Sequence, residues 1–206
     1  TRRNDFRELI RYLSQNSSLL VVFLIAAILN LALVGLTIGA PVIVAKHLGM
    51  QSSFVGIIEV AMGLGGLVGS GLVGIWPHRF SFKGICRYVA MICFGVVPII
   101  VTLLSGPDEL AFAALAAGSA WVMAWASIAS VEIVSFVQRS APKELCGKVL
   151  ALVYMTLSCA TPIGQLVYGL AYDRWTPAIV FAGMLAVLTL TTALFNRLKS
   201  RLWRMS

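Results

Sequence analysis

The sequence predicts an all-α, polytopic membrane protein in which six transmembrane helices form one bundle. The chain of 206 residues is 59% hydrophobic and 12% charged, with a mean hydropathy of +0.92, whereas a globular domain carries about 25% charged residues. The charges are clustered, and most of the charge-free intervals reach the roughly 20 residues that a helix needs to cross a bilayer. These intervals are 12–45, 60–78, 88–107, 110–131, 149–172 and 175–196.

Six spans follow from these intervals, because only helices or closed barrels satisfy their backbone in lipid and runs of this length are helical. They are predicted at about 17–44, 52–76, 85–105, 109–137, 148–171 and 176–196. Residues 1–16 precede them, and residues 197–206 form a basic tail. The lead-in "DFRELIRYL" has apolar residues at helical spacing, which predicts an amphipathic helix on the membrane face or, alternatively, a short solvated linker helix.

The basic residues predict the orientation of the bundle. Fourteen of the 16 fall before the first span, in the second and fourth connections, or in the tail; they are Arg2, Arg3, Arg7, Arg11, Arg79, Lys83, Arg87, Arg139, Lys143, Lys148, Arg197, Lys199, Arg201 and Arg204. Lys46 and Arg174 fall on the other side. The positive-inside rule makes the first side cytoplasmic, and an even number of spans places both termini there.

The stretch "GSGLVG" (69–74) has the spacing of a dinucleotide-binding turn, but it ends a charge-free span and does not follow a strand. Gly65 with Gly69, Gly66 with Ser70, and Ser70 with Gly74 are small residues four apart. Such pairs let helices approach closely in lipid. These five residues are therefore predicted to pack helices.

Two acidic residues fall inside spans and are candidates for proton coupling. Glu59 lies about 10 Å inside the second span, where an acid costs about 2.5–3.5 kcal/mol on insertion scales. It is either a structural acid that snorkels or pairs with a neighbour, or a proton or cation site facing water. Glu132, in the fourth span, is the second candidate, and core packing close to Arg139 is its alternative.

Several polar and aromatic residues are candidates for a substrate cavity. Trp121 and Trp125 share a helical face with Glu132 and form either an aromatic wall for a ligand or part of the core. The softer candidates are Asn30, Thr37, Thr161, Gln165 and Tyr168, which otherwise hydrogen-bond between helices. Spans one, two, four and five are therefore predicted to line a pathway, with spans three and six facing lipid.

The sequence contains no pattern typical of an enzyme. His47 and His78 fall at opposite membrane faces, no nucleophile is paired with a base, and the four cysteines lack metal-ligand spacing. We therefore expect no catalytic activity, no metal and no cofactor. The distribution of the basic residues indicates membrane topology, so nucleic acid is not an expected partner.

Two stretches carry a family resemblance: "APKELCGKVLAL" (141–152) and "TPIGQLVYGLAYDRW" (161–175). They resemble the C-terminal half of major facilitator superfamily transporters, and more narrowly the drug:proton antiporter branch with the macrolide-efflux proteins and the enterobactin exporter. The branch favours a Pro-x-Glu-Leu-x-Gly-Arg-Val loop; here Pro142, Glu144 and Gly147 match, and Lys148 replaces the arginine. The loop "GLVGIWPHRFSFKG" (71–84) departs from the superfamily pattern because it lacks the acid.

The resemblance implies secondary active efflux of a small amphipathic compound, such as a drug or a siderophore, driven by proton antiport across a cell inner membrane. Superfamily members bind substrate between two six-helix bundles. This chain supplies one, so a second bundle is expected, either a missing N-terminal half or another chain. The alternatives are a lipid or lysophospholipid transporter and a non-transporting membrane module that binds a partner protein.

Overall fold

The computed structural model describes the backbone of residues 17–202 and the side chains of residues 19–197. The predicted lead-in helix at 1–16 and the last four tail residues lie outside this range. The helices are α1 (Ser17–Val42), continued by a π-helical turn (Ile43–His47), α2 (Ser52–Ile75), α3 (Ile85–Ser105), α4 (Asp108–Ser140), α5 (Lys143–Arg174) and α6 (Pro177–Leu202). All six are long and apolar enough to span a membrane. The predicted all-α fold is confirmed.

The helices extend beyond the predicted apolar spans where the sequence turns polar. α5 begins at Lys143, five residues before the predicted span, and α6 continues to Leu202, six residues after it. Only Ala141 and Pro142 separate α4 from α5. Hydropathy marks the part of a helix that lies in lipid, whereas helical hydrogen bonds continue through polar residues, so the spans are shorter than the helices.

The six helices form two groups joined through a common core. α4 packs along α2 and α3, α1 packs along α5 and α6, and α3 also contacts α6. Fully buried aliphatic side chains fill the centre, among them Leu36, Ile58, Ile99, Leu115 and Ile128. α2 and α5 are the least buried helices, since only 22% and 17% of their apolar windows lie inside the bundle.

Close helix contacts are made at glycines. Gly65 and Gly69 of α2 lie against the main chain of Ala120 and Ala124 in α4, so closely that a Cβ at either glycine would overlap a carbonyl group. In the other group, the ring of Tyr168 fills the space beside Gly35. Such contacts gain dispersion energy over a long backbone interface.

The two ends of the bundle are closed differently. At the end with the α2–α3 and α4–α5 connections, the Phe82 and Phe136 rings stack with centroids 4.3 Å apart. We call this the basic end, because Arg79 and Lys83 lie in the α2–α3 connection and Arg139 lies in the last turn of α4. At the opposite end, the Lys46 Nζ atom lies 3.2 Å from the Asp173 Oδ1 atom, and both side chains are exposed.

Candidate functional site

A cavity of about 160 Å³ lies between α1, α4 and α5. Its walls are mostly aliphatic, and three neutral polar side chains enter the lining, those of Asn30, Ser130 and Tyr154. The aliphatic lining residues are Ala26, Leu29, Leu33, Ala126, Ile133, Val134, Val153 and Leu157. Apolar walls with a few hydrogen-bonding groups are typical of a small-molecule site. We call it the open-face cavity.

Glu59 lies on a face of α2 that is largely exposed. Its side chain and Gly63 are exposed, and Gly66, further along this face, is partly buried. A Cβ at Gly66 would lie 3.3 Å from the Ser127 Oγ atom of α4. Ser130 follows Ser127 by three residues and so shares its helix face. Through this approach, the α2 face that carries Glu59 lies beside the α4 face that lines the open-face cavity, and we call the two faces together the open face.

Glu132 is placed quite differently from Glu59. Its side chain is buried, with 4% of the residue exposed, and its Oε2 atom lies 3.7 Å from the Nη2 atom of the exposed Arg139. That oxygen accepts no hydrogen bond from the described residues. Glu132 is absent from the lining of the open-face cavity. The geometry matches the core-packing alternative for this residue.

Trp121 and Trp125 pack against α3, on a side of α4 away from the open-face cavity. The Trp121 Nε1 atom donates a hydrogen bond of 2.8 Å to the carbonyl oxygen of Met91. The Trp125 ring stacks on Tyr88, with centroids 6.1 Å apart. Both rings therefore contribute to the α3–α4 contact, which corresponds to the core-packing alternative, and neither lines the open-face cavity.

The softer candidates are distributed over different surfaces. Only Asn30 lines the open-face cavity. The hydroxyls of Thr37 and Thr161 donate to carbonyl oxygens of their own helices, those of Val34 and Leu157, at 3.0 Å each, and Gln165 is exposed. Tyr168 contacts Gly35 and lines a second cavity between α1, α5 and α6.

The five small residues of α2 predicted to pack helices differ in their surroundings. Gly65 and Gly69 pack on α4 as described, and Gly66 is partly buried beside Ser127. Ser70 is exposed and donates to carbonyl oxygens of its own helix. A Cβ at Gly74 would meet nothing within 4 Å. The helix-packing expectation therefore differs from the structure at Gly74, where a Cβ would have no described neighbour, while the hydroxyl of the exposed Ser70 bonds within α2.

The predicted loop motif forms the start of a helix. Pro142 precedes α5, and the amide of Cys146 donates to its carbonyl oxygen at 2.9 Å. Glu144, Gly147 and Lys148 are exposed in the first two turns. An acid in the first turn interacts favourably with the helix dipole, which gives Glu144 a structural role at this position.

Sequence reasoning missed Ser130 as a cavity residue. Ser127 and Ser130 stand three apart in α4, and they lie beside Gly66 and in the cavity with Asn30, respectively. This serine spacing could have indicated a second polar face of α4, but the interpretation rested on the face with Trp121 and Trp125. No group of three or more His, Cys, Asp or Glu residues among residues 19–197 could hold a metal ion.

The family comparison agrees with the helical architecture of the described residues. Residues 3–206 match the family described as transmembrane secretion effector, which is of the major facilitator superfamily type. A search of curated protein sequences returned no match. The family match covers nearly the whole chain, and the six membrane-capable helices fit it. The chain therefore belongs to the transmembrane secretion effector family of major facilitator transporters.

Proposed function

We propose that this chain is one six-helix half of a proton-coupled exporter for a small amphipathic compound. The observation that carries the proposal is the open face, where a mostly aliphatic cavity and an exposed intramembrane acid lie on the same side. Substrate would bind against this face, and Glu59 would exchange protons with it. A drug or a siderophore of suitable size is the expected cargo.

The lining chemistry supports an amphipathic substrate. Eight aliphatic residues supply most of the wall, and the carboxamide of Asn30 with the hydroxyls of Ser130 and Tyr154 supply hydrogen bonds. No charged side chain enters this lining. An uncharged substrate therefore fits this half best, and a charged substrate would have its charge met by groups outside it.

Glu59 supports proton coupling because of where it stands. It lies seven residues inside α2 and is exposed on the bundle surface. If this carboxylate faced hydrocarbon, its insertion into the membrane would cost about 2.5–3.5 kcal/mol of free energy. A water-filled path or a protein partner removes this cost, and an acid in such a path can bind and release protons. Glu132 is the weaker candidate, since burial beside Arg139 separates it from the cavity.

A second six-helix bundle is the partner we propose for the open face. The cavity holds only about 160 Å³, below the roughly 300–1,000 Å³ typical of ligand pockets. Transporters of this type form the site between two bundles. The second bundle belongs either to a longer form of this polypeptide or to another chain.

We also propose that the basic end faces the cytoplasm of a cell inner membrane. The positive-inside rule supports this orientation, because Arg79, Lys83 and Arg139 all lie at that end of the bundle. Labelling of single cysteines from outside the cell tests it. Gln51→Cys should react with an impermeant maleimide, and labelling of Ser81→Cys in place of Gln51→Cys would reverse the orientation.

The test of function is efflux from proteoliposomes containing the protein as purified from its membrane. We expect a pH gradient to drive movement of the uncharged dye Nile red, and Glu59→Gln to lower that rate at least about tenfold. Ser70→Ala, on the same exposed side of α2, is the matched control and should retain the rate.

Three outcomes would contradict the proposal. Unchanged pH coupling in Glu59→Gln would remove that residue from the mechanism. Movement of a fluorescent lysophospholipid in place of the dye would favour the lipid transporter. No movement of either compound by the unmodified protein would favour the non-transporting module.

A further inference from the structure

A second cavity, larger than the open-face cavity, lies on another side of the bundle. It has a volume of about 370 Å³ and runs between α1, α5 and α6. We call it the α5–α6 groove. Its lining is almost wholly apolar, and Tyr168 is its main polar member. On α1 it uses Ile28, Leu31 and Ala32, which are absent from the open-face cavity.

The length of the groove is close to the hydrocarbon thickness of one leaflet of a bilayer. On α6 its lining begins at Ile179, two residues after the helix starts, and extends to Val187, ten residues after the start. The eight residue steps of α-helix from Ile179 to Val187 rise about 12 Å, and Trp175 extends the lining past the start of α6. Half of the roughly 30 Å hydrocarbon core is about 15 Å. The groove is therefore long enough to hold an acyl chain over most of one leaflet.

The shallow end of the groove has the residues of a membrane interface. Trp175 lines it there and is 59% exposed, and tryptophan concentrates at the level of lipid headgroups. Asp173 and Arg174 stand between two lining residues, Ala171 and Trp175. Asp173 is paired with Lys46 at 3.2 Å, which leaves the Arg174 guanidinium as a cation for a phosphate group.

We propose that the α5–α6 groove binds one acyl chain of a phospholipid whose phosphate lies beside Arg174. A chain of one leaflet would extend from Trp175 towards Val187 and Ile28. Its apolar surface would be matched along the whole groove, and an anionic headgroup would meet the positive charge at the mouth. This site is separate from the proposed substrate cavity and does not depend on the proposed transport activity.

Gly183 offers a clean way to close the groove. It lines the groove, and a Cβ there would meet nothing within 4 Å. A phenylalanine at this position would place its ring in groove volume, and its Cβ would displace no described neighbour. Ala186 on the same helix is exposed and does not line the groove. Ala186→Phe is therefore the matched control.

The experiment is native mass spectrometry of the protein purified from its membrane and titrated with dioleoyl phosphatidylglycerol, dioleoyl phosphatidylcholine or oleate. We expect one tightly held phosphatidylglycerol per chain. Gly183→Phe should weaken its binding at least about tenfold, whereas Ala186→Phe should leave it unchanged. Arg174→Gln should reduce the preference for phosphatidylglycerol over phosphatidylcholine without closing the groove.

Two results would overturn the proposal. Equal binding to Gly183→Phe and Ala186→Phe would show that lipid does not enter the groove. Oleate binding as tightly as phosphatidylglycerol, or an unaltered headgroup preference in Arg174→Gln, would show that no phosphate is recognised. The elution volume and melting temperature of each variant establish that it is folded.

Discussion

Two faces of α2 are both rich in glycine, but one packs against α4 and the other is exposed. The packed face presents Gly65 and Gly69 to the main chain of α4. The open face, one step around the helix, carries the exposed Glu59 and Gly63, and a Cβ at Gly63 would meet nothing within 4 Å. Small residues therefore do not by themselves identify a helix contact. Glu59 stands on a face that the described helices leave exposed, which supports the proposed packing of a second bundle there.

The largest expected effect comes from the packed face. Gly69→Leu would force side-chain atoms into the carbonyl group of Ala124, and overpacking costs about 1–3 kcal/mol even where side chains can adjust. We expect an apparent Tm lower by about 6 °C or more, or failure to accumulate in the membrane.

Gly74→Leu is the control for this contact, because a Cβ there meets nothing within 4 Å. Its Tm should stay within about 2 °C of the unmodified protein, since exposed substitutions rarely exceed ±0.5 kcal/mol. Equal losses in the two variants would mean that the faces do not differ, and the comparison would fail.

A smaller effect is expected from the polar groups of the open-face cavity. Tyr154→Phe removes one hydroxyl from the lining, and a hydrogen bond contributes about 0.5–1.5 kcal/mol. The KM for transport should rise about two- to tenfold, with little change in the maximal rate. Thr189→Val, on exposed α6 and bonded only within its own helix, should leave KM unchanged. Equal KM values for both variants would remove Tyr154 from the site.

The smallest expected effect is the difference in Tm between variants of the two partners in the Glu132–Arg139 ion pair. Glu132 is buried and Arg139 is exposed, so Arg139→Gln leaves an uncompensated buried carboxylate, whereas Glu132→Gln leaves an arginine that water can solvate. Arg139→Gln should therefore lower the Tm by a few degrees more than Glu132→Gln does. A larger loss in Glu132→Gln would assign the acid a partner other than Arg139.

The sequence was sufficient for the helices because uncharged runs of about 20 residues have few structural alternatives in lipid. It was not sufficient for the helix ends, since residues 143–147, before the predicted fifth span, and the residues beyond Asn196 are also helical. Hydropathy records depth in the membrane, and no residue in those turns stops a helix.

The candidate site was harder to predict from the sequence than the helices were. A helical wheel shows which residues share a face of a helix, but it does not show which other helix that face contacts. Trp121 and Trp125 share a face as expected, and that face meets α3. Asn30 faces the cavity, while Tyr168 faces the α5–α6 groove. Which helix lies beside which depends on contacts between residues far apart in the chain, such as Gly35 with Tyr168.

The most direct test of the account is the environment of the open face in the membrane. In a variant without the four native cysteines, Gly63→Cys places a thiol one turn from Glu59, where a Cβ meets no described neighbour. Leu190→Cys, 63% exposed on α6, is the lipid-facing control. We expect an impermeant thiol reagent to label Gly63→Cys, because the proposed aqueous path reaches this face, and to leave Leu190→Cys unlabelled. If neither thiol reacts from either side of the membrane, the open face does not line an aqueous path, and the proposed transport site is contradicted.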